Sequence, residues 1–116
     1  VANRAGSYAY PPQIGLASFY HEPQLLATGE TFDPESMTAA HKSLPFGSLV
    51  RCIRLDTRES VIVIINDRGP YIQGRIIDLS RAAARKLEML DDGVVNCMIE
   101  IVAYPLIEVM GPKGNG

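Results

Sequence analysis

The chain has 116 residues, 47% apolar and 21% charged, a balance that fits one globular domain with a modest core and excludes a disordered segment. With 11 basic and 13 acidic residues the net charge is −2, and the basic residues scatter from Arg4 to Lys113, so the basic stripe of a nucleic-acid binder is absent. The longest wholly aliphatic run, 61–65, is far shorter than the roughly 20 residues that cross a bilayer, and residues 1–12 lack the apolar stretch of a secretory signal, which leaves export open.

Residues 1–13 are small and polar, end in Tyr-Pro-Pro, and read as a loose arm. Residues 16–20 form a short strand pattern. Residues 21–36 are polar and carry Pro23, Gly29 and Pro34, the signature of a long loop. A short strand over 37–41 leads into a turn at Leu44-Pro45-Phe46-Gly47. Residues 49–55 alternate Leu, Arg, Ile with Val, Cys, Arg. A hairpin-like turn at 56–59 then precedes the β-branched strand 60–65. That strand runs directly into the polar turn Asn66-Asp67-Arg68-Gly69-Pro70.

A further strand is predicted over 75–78. Ser80 then suits the N-cap of a helix over 81–89, with Ala83, Leu87 and Leu90 on its apolar side. Asp91-Asp92-Gly93 would stop that helix, and 94–102 is a last long strand. The Gly-rich end, 105–116, reads as a tail outside a domain spanning 14–104. Mostly strand with one good helix, the pattern fits a small closed barrel better than a sandwich.

Only two cysteines occur, Cys52 and Cys97, each in an apolar strand-like stretch. They are too few for a disulfide scaffold and match no zinc spacing. Two readings stand: separate buried thiols, or one long-range disulfide formed in an oxidising compartment. The two are expected on neighbouring strands, either bridged or close enough to bridge.

Three ionisable residues stand out by position: Glu30 after Gly29 in the long loop, His41 at the end of a short strand, and Asp67 at the end of the most apolar strand. Burial favours the proton-bearing form of a carboxyl group, as a general acid requires. Each also has an ordinary structural reading: Asp67 as a turn former, His41 as a hydrogen-bonded structural histidine, and Glu30 as a solvated loop charge. Asp33 looks like a turn former, and Asp78 like a support for the turn into the helix. Phe19, Tyr20 and Tyr71 lie near polar loops, where they would either stack on sugar rings or pack the barrel end. No nucleophile-elbow serine, metal-ligand spacing or glycine-rich phosphate loop is present.

Four ordered blocks then carry a resemblance. Ala17-Ser18-Phe19-Tyr20 followed by Ala27-Thr28-Gly29-Glu30-Thr31-Phe32-Asp33 resembles the opening of rare-lipoprotein-A (RlpA-like) domains. Met37-Thr38-Ala39-Ala40-His41-Lys42-Ser43-Leu44-Pro45-Phe46-Gly47 is similar to their next block. Ile65-Asn66-Asp67-Arg68-Gly69-Pro70-Tyr71 and Gly74-Arg75-Ile76-Ile77-Asp78-Leu79-Ser80-Arg81-Ala82-Ala83-Ala84 resemble the last two. Together they cover roughly residues 15–102. The chain departs from the pattern in the short stretch between Tyr20 and Gly29, in Phe19 for the frequent Trp, and in Cys52 and Cys97 where apolar β-branched residues are typical.

The resemblance implies a mainly β fold, a six-stranded double-psi β-barrel with one short α-helix, shared with expansins. It implies a lytic transglycosylase acting on peptidoglycan, splitting the bond between N-acetylmuramic acid and N-acetylglucosamine and leaving 1,6-anhydro ends, with a preference for peptide-poor strands. A non-catalytic or expansin-like wall-binding module is the alternative. The implied catalytic trio is Asp67, His41 and Glu30. Tyr20, Thr28, Asp33, Arg68 and Tyr71 would contact the glycan, while Asp78, Cys52 and Cys97 serve structure. No metal and no cofactor are implied. The expected partner is the glycan strand, not nucleic acid. The protein is expected to act as a monomer in the periplasm or cell envelope, and a lipid anchor on a full-length precursor is compatible with this reading.

Overall fold

A computed structural model describes residues 10–20 and 26–105. The first nine residues of the expected arm, residues 21–25 of the expected loop and 106–116 of the expected tail lie outside the described residues. The elements are β1 (Gln13–Phe19), β2 (Thr38–Ala40), β3 (Leu49–Arg54), β4 (Ser60–Asp67), β5 (Arg75–Leu79), α1 (Arg81–Lys86) and β6 (Val95–Ala103). The six strands close into a barrel in the order β1-β5-β2-β4-β3-β6. The β1–β5 and β2–β4 pairs are parallel and the others antiparallel.

Alternation decides which side chains fill the barrel. On β4, Val61, Val63, Ile65 and Asp67 point inward while Ile62 and Ile64 face solvent. Val50 and Cys52 on β3, Ile77 and Leu79 on β5, and Cys97 and Ile99 on β6 complete the interior. Each fully buried Ile or Leu side chain contributes about 1.5–3 kcal/mol relative to exposure. Gly15 marks the closest approach of β1 to β5: a Cβ there would lie 2.7 Å from Ile76 Cγ2. The β2–β4 register passes from Ala39↔Ile65 to Ala40↔Asp67, so Asn66 is skipped as an irregularity at the end of β4.

The helix begins as expected. The Ser80 hydroxyl accepts the Ala83 N–H at 3.2 Å, and Ala83, Ala84, Leu87 and Met89 are buried against the barrel. It ends at Lys86, three residues earlier than predicted, and Glu88 takes a left-handed φ of 55°. The end is held by Arg54, whose side chain is buried at the end of β3. Its Nη1 donates to the carbonyls of Leu87 (3.0 Å) and Glu88 (2.9 Å), and its other nitrogens pair with Asp56 and Asp92. These bonds satisfy carbonyls left without intrahelical partners at the helix end.

Cys52 and Cys97 lie on neighbouring strands, as expected, and both are free and buried. Cys52 pairs with Ile99 and Cys97 with Arg54, so the cysteines are diagonal rather than opposite. Diagonal Cα atoms sit about 7–8 Å apart, just beyond the usual disulfide range of about 4.4–6.8 Å. The thiols nonetheless hydrogen-bond, and this contact, reinforced by burial, holds the Cys52 thiol well above its ordinary range.

Candidate active site

The carboxyl of Asp67 is 6% exposed at the end of β4, the inward side of the strand having carried it beneath the long loop. Tyr20 Oη donates to its Oδ2 at 2.5 Å, and the Ala27 N–H donates to its Oδ1 at 2.6 Å. Tyr20 is itself buried, edge-on to Phe32 with ring centroids 4.6 Å apart, in a small cluster with Leu26 and Ala40. The donor at Ala27 comes from a tight turn: the Gly29 N–H bonds the Leu26 carbonyl, the Leu26 N–H bonds the Glu30 carbonyl, and Gly29 supplies the required φ of 95°.

The same turn presents Glu30. Thr28 Oγ1 donates to Glu30 Oε1 at 3.0 Å, and Asn66 Nδ2 approaches that oxygen at 3.5 Å. Thr28, Glu30 and Asn66 line an open groove of about 550 Å³ together with Ile64, Phe46 and Pro105. The Oδ1 of Asn66 is buried without a hydrogen-bond partner among the described residues. Ordinary strand alternation turns Asn66 toward the groove, on the side of Ile64, while its neighbour Asp67 points under the loop; the register skip leaves Asn66 without a β2 partner. Sequence reasoning treated Asn66 only as part of a turn, although its place beside Asp67 in the motif was the available signal. The Ala27 N–H, a backbone group, left no signal in residue type.

His41 is 3% exposed and fully engaged. Its Nδ1 accepts the N–H groups of Ser43 (3.0 Å) and Leu44 (3.1 Å), which places the ring proton on Nε2, and this donates to Gln13 Oε1 at 3.0 Å. Burial first, then the positive charges of Arg68 and Lys42, lower its pKa to about 4, so the ring is neutral at pH 7. It meets Asp67 through the backbone, the His41 N–H donating to the Asp67 carbonyl at 3.1 Å.

Arg68 binds the same loop from outside. Its Nη1 donates to the carbonyls of His41 (3.1 Å) and Leu44 (2.8 Å), and its guanidinium lies 4.0 Å over the Phe46 ring. The remaining expected residues are spread more widely. Asp33 accepts the Glu35 N–H and the Ser36 hydroxyl, the pattern of a turn former. Tyr71 is 74% exposed. Asp78 lies within β5, not in the turn before the helix, and accepts the Ser18 hydroxyl across the β1–β5 ladder at 3.0 Å. Thus Tyr20 and Asp67 come together, as do Thr28 and Glu30, with Asn66 between the two pairs. Among the described residues no group of three His, Cys, Asp or Glu side chains is arranged to hold a metal ion.

Residues 13–99 match the family described as lytic transglycolase. The chain belongs to this family of double-psi β-barrel domains. It is 52% identical over 93 residues to the probable endolytic peptidoglycan transglycosylase RlpA of Nostoc sp., covering 76% of this chain and 25% of the relative. It is 46% identical over 104 residues to the endolytic peptidoglycan transglycosylase RlpA of Pasteurella multocida, covering 87% and 34% respectively. The chain thus spans only a quarter to a third of the length of these curated relatives. Among solved structures, the Streptomyces papain inhibitor superposes with a TM-score of 0.66 at 25% identity, covering 79% of this chain and 94% of that one. A Clavibacter michiganensis expansin superposes at 0.62 with 20% identity, covering 82% and 52%, and shows the shared fold.

Proposed function

We propose that this domain is a peptidoglycan lytic transglycosylase of the cell envelope, cutting between N-acetylmuramic acid and N-acetylglucosamine on peptide-poor strands. The names and identities of its relatives support the substrate. The observation that carries the mechanism is the nearly buried Asp67 carboxyl, with Tyr20 and the Ala27 N–H placed to stabilise the carboxylate that remains once its proton is given up. Asp67 gives a proton to the glycosidic oxygen as the bond to the muramic C1 breaks. Positive charge develops at C1 as in glycoside hydrolysis. The C6 hydroxyl of the same sugar then attacks C1, and its proton returns to Asp67. The ring closes to the 1,6-anhydro form, water is not consumed, and one acid–base group serves both steps.

To reach the substrate, Asp67 must exchange one protein donor for the glycan. The Ala27 bond is the one to yield, since it comes from an exposed surface turn, whereas Tyr20 is fixed in the cluster under the loop. Glu30, with Asn66, faces the groove and orients the sugar. His41, neutral and internally bonded, acts as a positioning residue through its N–H to the Asp67 carbonyl. Export, with or without a lipid anchor on a longer precursor, follows from the substrate.

A second reading has its own observation. Asp67 is almost buried and both its oxygens accept protein hydrogen bonds, which also suits a structural carboxyl in a glycan-binding module that does not cut. Mass spectrometry of peptidoglycan, intact and amidase-treated, after incubation with the protein separates the two. The expected result is anhydro-ended fragments from wild type and none from a folded Asp67→Asn variant, a loss of at least about 10²-fold. Binding without anhydro product in wild type gives the module reading.

A further inference from the structure

The loop 41–47 divides two grooves of opposite chemistry. Its last residues line the groove that holds Glu30 and the orphaned Asn66 carbonyl oxygen. Its first residues line a second groove of about 420 Å³, formed with Gln13 and Ile14 at the start of β1 and Ile76 on β5. Among the described residues no acidic side chain lines this second groove. Its one charged group is Lys42, which is exposed and makes no ion pair among the described residues. The Ser43 hydroxyl lies beside it. The Gln13 amide is oriented by His41: because Gln13 Oε1 accepts the His41 Nε2–H, its NH2 group is left to point elsewhere. Ile14, which is 71% exposed, and Ile76 line the same groove.

Hydrogen-bond donors around an unpaired ammonium, with apolar walls, form a receptor for a carboxylate carried on a compact apolar group. We propose that this second groove is a subsite for a carboxylate-bearing sugar, the free lactyl carboxylate of a muramic-acid residue, and that Lys42 selects it. The inference rests on the glycan reading above. A muramic residue whose stem peptide is gone exposes that carboxylate. One that still carries the peptide has an uncharged amide at that position, and its remaining carboxylates lie further out along the peptide. The acceptor-rich groove on the other side of the loop has no such cation, so a strand crossing both would be held in one direction.

The test titrates the 116-residue chain with two short muramic-acid–glucosamine oligosaccharides that differ only in having free or methylamidated lactyl carboxyls, at low and high salt. Wild type is expected to favour the free acid by about fivefold at low salt, the range of an exposed ion pair, with the preference shrinking as salt rises. Lys42→Met should bind both oligosaccharides alike, and Lys42→Arg should keep the preference. A preference that survives in Lys42→Met, or is absent from wild type, overturns the proposal. Preference for the acid without anhydro product supports the subsite and removes the transglycosylase reading. Anhydro product released equally from both oligosaccharides does the reverse.

Discussion

His41 makes the fold's stability depend on pH in a window that can be worked out in advance. Its folded pKa is about 4 against an ordinary 6.5, the drop coming first from burial and then from Arg68 and Lys42. Between these values the unfolded chain takes up a proton that the folded protein refuses, because Nδ1 is committed to the Ser43 and Leu44 N–H groups. The contribution to stability is therefore full above about pH 6.5, is lost as pH falls toward 4, and changes no further below that. The slope approaches but does not exceed about 1.4 kcal/mol per pH unit, the value for one proton. Allowing for solvent screening, roughly 2 kcal/mol is lost across the window. The comparison is His41→Asn, whose Oδ1 can still accept the two loop N–H groups but does not titrate. Urea unfolding of both proteins from pH 4 to 8 isolates the histidine, since every other titrating group is common to the pair. The wild-type curve should fall away from the variant's below pH 6.5. Parallel curves, or a His41 ring titrating near 6.5 by NMR, would refute the reasoning.

Three further outcomes are expected. Native protein should leave both thiols unreactive to a water-soluble disulfide reagent and release two thiols once unfolded without reductant; none released would mean that β3 and β6 shift enough to bridge Cys52 to Cys97. Arg54→Lys should lower the melting temperature, because one ammonium cannot serve the two carbonyls and two carboxylates the guanidinium binds, and an unchanged melting curve would show that the helix end holds itself. Tyr20→Phe removes a buried hydrogen bond on Asp67 and should cost about 1–2 kcal/mol in denaturant unfolding, with glycan cleavage falling further than stability accounts for; equal activity in the folded variant would dissociate Tyr20 from the chemistry.

The β4 strand was legible from its β-branched run, but its facing was not: Val61, Val63 and Ile65 are buried while Ile62 and Ile64 are exposed, although all five are aliphatic. Ser80 was legible as a cap because a hydroxyl before an Ala-rich run has few other roles. The early end of α1 was not legible, since it is held by Arg54, some 33 residues away in sequence and read only as one of an alternating set. The Cys52–Cys97 relation was half legible: neighbouring strands could be expected, but the two-residue offset that separates contact from bonding is a property of register. The hold of Arg68 on the 41–47 loop was not legible, because the two carbonyls and the Phe46 ring converge on its guanidinium only after folding.

The site shows why a motif could single out its residues without giving their geometry. Glu30 and Asp67 belong to different blocks, yet one turn, 26–30, serves both: its Ala27 N–H rests on Asp67 and its other end carries Glu30 to Asn66. Strand alternation then sends two adjacent residues of β4 to different tasks, Asn66 toward the groove and Asp67 beneath the loop. A glycan that drew Glu30 and Asn66 toward itself would pull on the turn that supplies the Ala27 donor. On the proposed glycan reading, occupancy of the groove and loss of the Ala27 hydrogen bond to Asp67 are therefore expected to go together, because one turn carries both contacts.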